Sequence, residues 1–140
     1  MSTQLKRTDF FEVNQGVKQG CILSPCLFNI FLSDLPAIFN QVESRPAKLE
    51  DTVIGSLFWA DDLVIISESK EGLQHSLDKL EHYRKINKMK VNVDKTKCMV
   101  FNKGGRTMHS NKFYFSHEEL ETVGKFSYLG FLIIPSINIK

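Results

Sequence analysis

The chain has 140 residues, 42% of them hydrophobic and 24% charged, with a formal net charge of +2. Those values describe one globular domain with a modest core, burying roughly two-thirds of its unfolded surface. No apolar run reaches the ~18 residues of a membrane span, and Met1-Ser-Thr-Gln-Leu-Lys-Arg at the start lacks the apolar segment of a secretory leader.

In chain order, Phe10 to Val13 has strand character and Gly16 to Gly20 reads as a turn. Ser24-Pro25 is a helix start, with a hydroxyl to cap free amides and a proline where a missing N–H costs nothing. Leu27, Phe28, Phe31, Leu32 and Leu35 then form an apolar helical stripe, which Pro36 closes or kinks. The polar stretch from Asn40 to Asp51, with Pro46, reads as a loop. From Ser56 to Ser67 two apolar runs flank Asp61-Asp62, the pattern of a buried hairpin whose polar tip points out of the core. Leu73, Leu77, Leu80 and Tyr83 mark a second amphipathic helix from about Lys70 to Ile86. Val91 to Val93 and Lys97 to Phe101 are β-like, Gly104-Gly105 punctuates, and Phe113-Tyr-Phe115 and Tyr128 to Ile134 end the chain as strands. No internal repeat, low-complexity tract or second domain is evident.

Cys21, Cys26 and Cys98 are odd in number and fit no zinc or CxxC spacing, which implies a reducing, intracellular compartment and unreactive thiols. Charge is uneven. Between Lys79 and Lys112 there are ten basic residues against two acids, Glu81 and Asp94. Such a stripe either binds a phosphate backbone or is a solvated helix face followed by a basic loop.

Neighbouring side chains on a strand point to opposite faces, so Asp61 and Asp62 converge best on a tight turn. Two carboxylates so close repel unless a cation neutralises them. Mg2+ takes oxygen ligands, commonly one or two protein carboxylates with phosphate oxygens. A tip walled by Trp59 and Leu63 is therefore a ledge for metal and triphosphate. Asp-Asp is also a common turn dipeptide, but a surface turn rarely needs Leu-Phe-Trp before it and Leu-Val-Ile-Ile after it.

Four stretches in this order resemble the motifs of reverse transcriptases of the non-LTR retrotransposon branch. Gly16-Val-Lys-Gln-Gly-Cys-Ile-Leu-Ser-Pro25, with Leu27 to Leu35 behind it, resembles the second palm motif. Trp59-Ala-Asp-Asp62 resembles the metal-binding box, with Trp in place of the usual Tyr or Phe. Asn92-Val-Asp-Lys-Thr96 resembles the Asn-x-x-Lys-Thr motif, and Phe126-Ser-Tyr-Leu-Gly130 the primer grip. The resemblance spans Phe10 to about Ile133.

It implies an α+β fold, a partial polymerase palm over residues 1–140, with an antiparallel sheet packed on two helices. It implies a two-metal nucleotidyl transferase by ancestry, using Mg2+, an RNA template and a DNA primer. Asp61 is then the main metal ligand and Asp62 assists. Gln19, Gly20 and Ser24 lie near the template–primer and nucleotide, as do Asn92 and Lys95, whose charge would sit by the triphosphate. Phe126, Tyr128, Leu129 and Gly130 support the primer.

The family's third aspartate lies well upstream on another strand. Here Asp9 is a poor substitute for it, and fingers and thumb are not recognised. The expectation is an isolated chain without activity, marginally stable or self-associating through an exposed palm surface. A non-catalytic nucleic-acid-binding module using residues 79–112 is the competing reading. A metal-dependent nuclease or polymerase completed by another chain is a third.

Overall fold

The computed structural model describes residues 16–18, 20–101 and 111–135. They form two compact units, Met1–Ser33 and Asp34–Lys140. The expected strand from Phe10 to Val13, together with Asp9, Gln19 and Gly104-Gly105, lies outside the described residues.

In the first unit, α1 spans Ser24–Phe31 with Pro25 in its first turn. Ser24 is not the cap expected of it. Leu23 holds that position with no side-chain hydrogen bond, while Ser24 Oγ donates to the Lys18 carbonyl at 2.6 Å. The hydroxyl thus ties the helix start to the glycine turn before it. No residue of α1 is buried; of the apolar stripe, only Leu32 and Leu35, beyond the end of this helix, are.

The second unit opens with α2 (Leu35–Phe39). Pro36 stands in its first turn, so it starts a new helix after a break instead of closing the old one. The segment read as a loop contains a 3-10 turn (Val42–Ser44) and an antiparallel hairpin of β1 (Ala47–Leu49) and β2 (Thr52–Ile54). A second hairpin joins β3 (Ser56–Trp59) to β4 (Asp62–Ile65).

α3 runs Lys70–Ile86, as its periodicity predicts. Ser69 caps it by accepting from the Gly72 amide at 3.0 Å. Glu71 in the first turn and Arg84 and Lys85 in the last complement the helix dipole. At the far end Met89 N–H returns to the Arg84 carbonyl and Lys88 N–H to that of Lys85. That is a Schellman closure, with Lys88 at φ 53° where glycine is usual.

Beyond α3 come β5 (Lys97–Cys98), β6 (Phe113–Phe115), β7 (Glu118–Thr122), β8 (Phe126–Tyr128) and β9 (Phe131–Ile133). β5, β7 and β6 form a three-stranded sheet in that order, antiparallel between β6 and β7 and parallel between β5 and β7. β8 and β9 make a separate antiparallel hairpin. The fold is therefore mixed helix and sheet with mainly antiparallel pairing. Among the described residues the strands lie in four small sheets instead of one. Val91 to Val93 is not a strand.

The core of this unit comprises Leu35 and Phe39 of α2, Leu77, Leu80 and Tyr83 of α3, Cys98, Phe113, Phe115 and Leu120. Gly55 and Gly72 are packing glycines. A Cβ on Gly55 would lie 2.3 Å from the Phe39 carbonyl oxygen, and one on Gly72 2.5 Å from that of Ser44. No described helix is long and apolar enough to cross a membrane.

Candidate active site

Trp59 pairs with Asp62 across the β3–β4 ladder, so only Ala60 and Asp61 form the turn. Cross-strand partners share a face, which sets Trp59 and Asp62 side by side and leaves Asp61 at the tip. Both carboxylates are exposed. Ala60 sits at φ 53°, a left-handed conformation costing about 1–2 kcal/mol for a residue with a Cβ. Such outliers persist where the surroundings over-determine them. Here the determinant is the short ladder, which demands a tight reversal.

The hairpin is half-buried, not buried. Leu57 and Trp59 on one face are 46% and 66% exposed. On the other face Phe58 meets the fully buried Phe39, ring centroids 6.5 Å apart. The base is fixed where the Gly55 amide donates to Asn40 Oδ1 at 3.1 Å and Ile66 N–H to the Gly55 carbonyl at 2.8 Å. Among the described residues no group of three or more His, Cys, Asp or Glu could hold a metal ion. Among those residues the donors at the tip are the adjacent pair, which fits a cation such as Mg2+ that takes one or two carboxylates and completes its shell with phosphate and water oxygens.

The other predicted residues form local devices of their own. Asn92 Oδ1 accepts from Lys95 N–H at 3.2 Å, and the Asn92 carbonyl accepts from Thr96 Oγ1 at 2.8 Å. Asn and Thr therefore build a turn from which Lys95 projects, exposed. Phe126 and Tyr128 lie on β8, and Leu129-Gly130 is its two-residue turn, with φ 50° and 82°. Gly20 sits at φ 78°, a left-handed conformation that favours glycine, while a Cβ there would meet nothing within 4 Å. Gln19 lies outside the described residues.

The basic stretch is less free than its count implies. Lys85 pairs with Glu81, Lys97 with Glu121 (both 2.7 Å), and Lys112 with Glu119 at 2.9 Å. Arg84 lies over the Phe115 ring and donates to Ser116 Oγ. Lys103 and Arg106 lie outside the described residues. Two of the neutralising acids, Glu119 and Glu121, fall beyond residue 112 in sequence and reach the stretch only through β7.

The family model of the reverse transcriptases, RNA-dependent DNA polymerases, matches residues 2–133. The chain belongs to that family. It is 32% identical over 125 residues to the Pol polyprotein of the type-2 retrotransposable element R2DM of Drosophila melanogaster, covering 83% of this chain and 11% of that protein. It is 29% identical over 131 residues to the Pol polyprotein of a type-1 element R2 of Popillia japonica, covering 89% and 22%. Over 92 residues it is 30% identical to the RNA-directed DNA polymerase of the mobile element jockey of Drosophila melanogaster, covering 61% and 10%. These are non-LTR retrotransposon proteins, and the chain spans a fifth or less of the length of most of them. No solved structure matches. The family to which the chain belongs generally uses divalent metal ions.

Sequence reasoning missed the residues that hold the Asp61 hairpin in place, Phe39, Asn40 and Gly55. Gly55, immediately before an apolar run, was the available signal of a close backbone approach.

Proposed function

We propose that residues 1–140 are one palm segment of a non-LTR RNA-directed DNA polymerase, and that the β3–β4 tip is its metal ledge. Asp61 would bind Mg2+, with Asp62 beside it. Asn92 and Lys95 would face the nucleotide, Gln19, Gly20 and Ser24 the template–primer, and Phe126, Tyr128, Leu129 and Gly130 the primer. RNA template and DNA primer are the proposed partners. One observation carries the reading: two exposed carboxylates stand together at a hairpin tip, Asp61 in a two-residue turn whose first residue is held in a strained conformation and Asp62 opening β4 beside it.

When bound, the metal supplies charge neutralisation for phosphoryl transfer. The chain's own part is to hold both carboxylates outward on a ladder anchored by Phe39 and Asn40, and to present the Lys95 ammonium from a self-capped turn, where a cation favours developing phosphate charge. Positioning supplies most of the catalysis in such transfers. Among the described residues no third His, Cys, Asp or Glu joins the pair, and a two-metal site needs more than two carboxylates, so the isolated chain is expected not to polymerise. Self-association through exposed apolar hairpin faces, where Trp59 and Phe131 are 66% and 77% exposed, belongs to the same proposal.

Mg2+-dependent primer extension on an RNA template, with Asp61→Asn alongside, separates the parts. No extension from folded protein is expected. Extension abolished by Asp61→Asn would keep the ledge and reject its incompleteness. Extension indifferent to Asp61→Asn would reject the ledge. The nucleic-acid-binding alternative predicts affinity that falls steeply with salt, and it is weakened where Lys85, Lys97 and Lys112 are paired with glutamates; salt-insensitive or absent binding would reject it.

A further inference from the structure

The peptide group between Asp94 and Lys95 is held at both ends. Its N–H, that of Lys95, donates to Asn92 Oδ1 at 3.2 Å. Its carbonyl, that of Asp94, accepts from Lys97 Nζ at 2.7 Å. Because a peptide group is planar, fixing the oxygen on one side and the hydrogen on the other fixes how the plane is turned. The Cα of Lys95 is a corner of that plane, so the same two bonds narrow the directions in which the Lys95 side chain leaves the turn.

The two anchors differ in kind. Asn92 belongs to the turn itself, whose closing bonds run from Thr96 N–H to the Asn92 and Val93 carbonyls at 3.1 and 3.0 Å, and from Thr96 Oγ1 to the Asn92 carbonyl at 2.8 Å. Those bonds set the shape of the turn but not where it faces. Lys97 ties it to the sheet. It is the first residue of β5 and the register partner of Glu121 on the parallel strand β7, and its ammonium meets the Glu121 carboxylate at 2.7 Å. One ammonium thus joins a backbone carbonyl of the turn to a carboxylate of the sheet. β7 is a firm base for this brace, being the middle strand of three, with Leu120 buried in the core.

We infer that Lys97 is a positioning residue that aims the Lys95 ammonium through the Asp94 carbonyl, with Glu121 as its brace. The inference rests on the role given above to Lys95, beside the triphosphate of the nucleotide. A cation on a long flexible stem stabilises developing charge best when its direction is set beforehand, and a charge-assisted bond to a carbonyl is short and directional enough to set it. The two lysines of Lys95-Thr96-Lys97 therefore divide the work. Lys95 stays exposed to meet phosphate. Lys97, half-buried and neutralised by Glu121, adds little net charge and acts through geometry.

The test titrates inorganic tripolyphosphate into the whole isotope-labelled chain at about 0.15 M salt, where exposed charges beyond ~8 Å are screened, and follows the backbone amides of residues 92–96. Lys95→Met, Lys97→Met, Lys97→Arg and Glu121→Gln are compared with the parent, each checked for retained α3 ellipticity. Saturable shifts are expected in the parent and much weaker binding in Lys95→Met. If losing Lys97 leaves the aimed orientation about a fifth of the population, affinity falls roughly fivefold in Lys97→Met, and Lys97→Arg restores it. Glu121→Gln separates geometry from charge. Removing a carboxylate tightens tripolyphosphate binding if these residues act only as charges, and weakens it if they brace the turn. Backbone order at Lys95, read by nitrogen relaxation, should fall in Lys97→Met and Glu121→Gln alike. Binding unchanged or tighter in Glu121→Gln, or Lys95 order unchanged in Lys97→Met, would overturn the inference alone. Binding absent from the parent, or indifferent to Lys95→Met, would overturn the role of Lys95 and the inference with it.

Discussion

Replacing Tyr83 by phenylalanine deletes one hydroxyl from the join between α2 and α3. That hydroxyl donates to Asp34 Oδ1 at 2.7 Å, and the ring it sits on is 6% exposed. A hydrogen bond to a charged group contributes about 1.5–3 kcal/mol. Asp34 is exposed and regains water in Tyr83→Phe, so the loss belongs near the lower end, ~1.5 kcal/mol at pH 7. The same contact has a pH signature. Burial foremost, then the Asp34 hydrogen bond and charge, pushes the Tyr83 hydroxyl from 10.0 up to about 12. The folded chain therefore holds this proton more tightly than the unfolded chain. The resulting stability is fully present below pH 10 and is lost as pH rises toward 12. Two pKa units correspond to about 2.7 kcal/mol, less some solvent screening at the open Asp34 end. Tyr83→Phe has nothing there to titrate, so its deficit should close and the two stability curves meet near pH ~11. Cys98, raised from 9.0 to about 11 by burial, adds a falling limb between those values to both proteins. The readout is therefore the difference between urea-unfolding free energies, followed through α3 ellipticity from pH 7 to 12. A difference that stays constant across that range, or is absent at pH 7, would refute the reasoning.

Ala60→Gly should stabilise the isolated chain, because about 1–2 kcal/mol of left-handed strain is relieved against the 0.4–1 kcal/mol that glycine's unfolded freedom takes back; a lower urea midpoint would contradict the strained turn. Gly55→Ala should destabilise by about 1–3 kcal/mol, since the backbone of Phe39 leaves no room for a methyl group, and the thermal midpoint measures it. Cys21 and Cys26 are exposed while Cys98 is buried, so a thiol reagent in excess should label two sites fast and the third only as slowly as the core opens; three equal rates would place Cys98 wrongly.

Helix α3 was legible end to end because cap, first-turn acid, apolar spacing and last-turn bases all agree from Ser69 to Lys85. The Asp61 hairpin was legible for a similar reason, two β-rich runs about one acidic dipeptide. What escaped was local chemistry without its usual signs. The β1–β2 turn is Glu50-Asp51, with Glu50 at φ 54°, and the β6–β7 turn is Ser116-His117, at φ 52° and 69°. None of these four is the glycine or asparagine that announces such turns. β7 reads Glu-Glu-Leu-Glu-Thr, a poor strand by propensity. It pairs because Leu120 enters the core and its glutamates meet Lys97 and Lys112. Those pairings also explain why the basic stretch looked stronger in sequence than it is in space. Pro36 is ambiguous by nature, since the same ring that ends one helix opens another. Of the site, the carboxylate pair was readable. Its footing on Phe39 and Asn40 was not, because that footing depends on backbone contacts between distant residues.

Whether the β3–β4 tip is a metal ledge is tested most directly by titrating Mn2+ into the isotope-labelled chain and following paramagnetic broadening of backbone amides, with Asp61→Asn measured in parallel. The expected result is broadening centred on Trp59 to Leu63 at low metal, displaced by excess Mg2+ and abolished in Asp61→Asn. Broadening centred elsewhere, or undiminished in Asp61→Asn, would contradict the assignment.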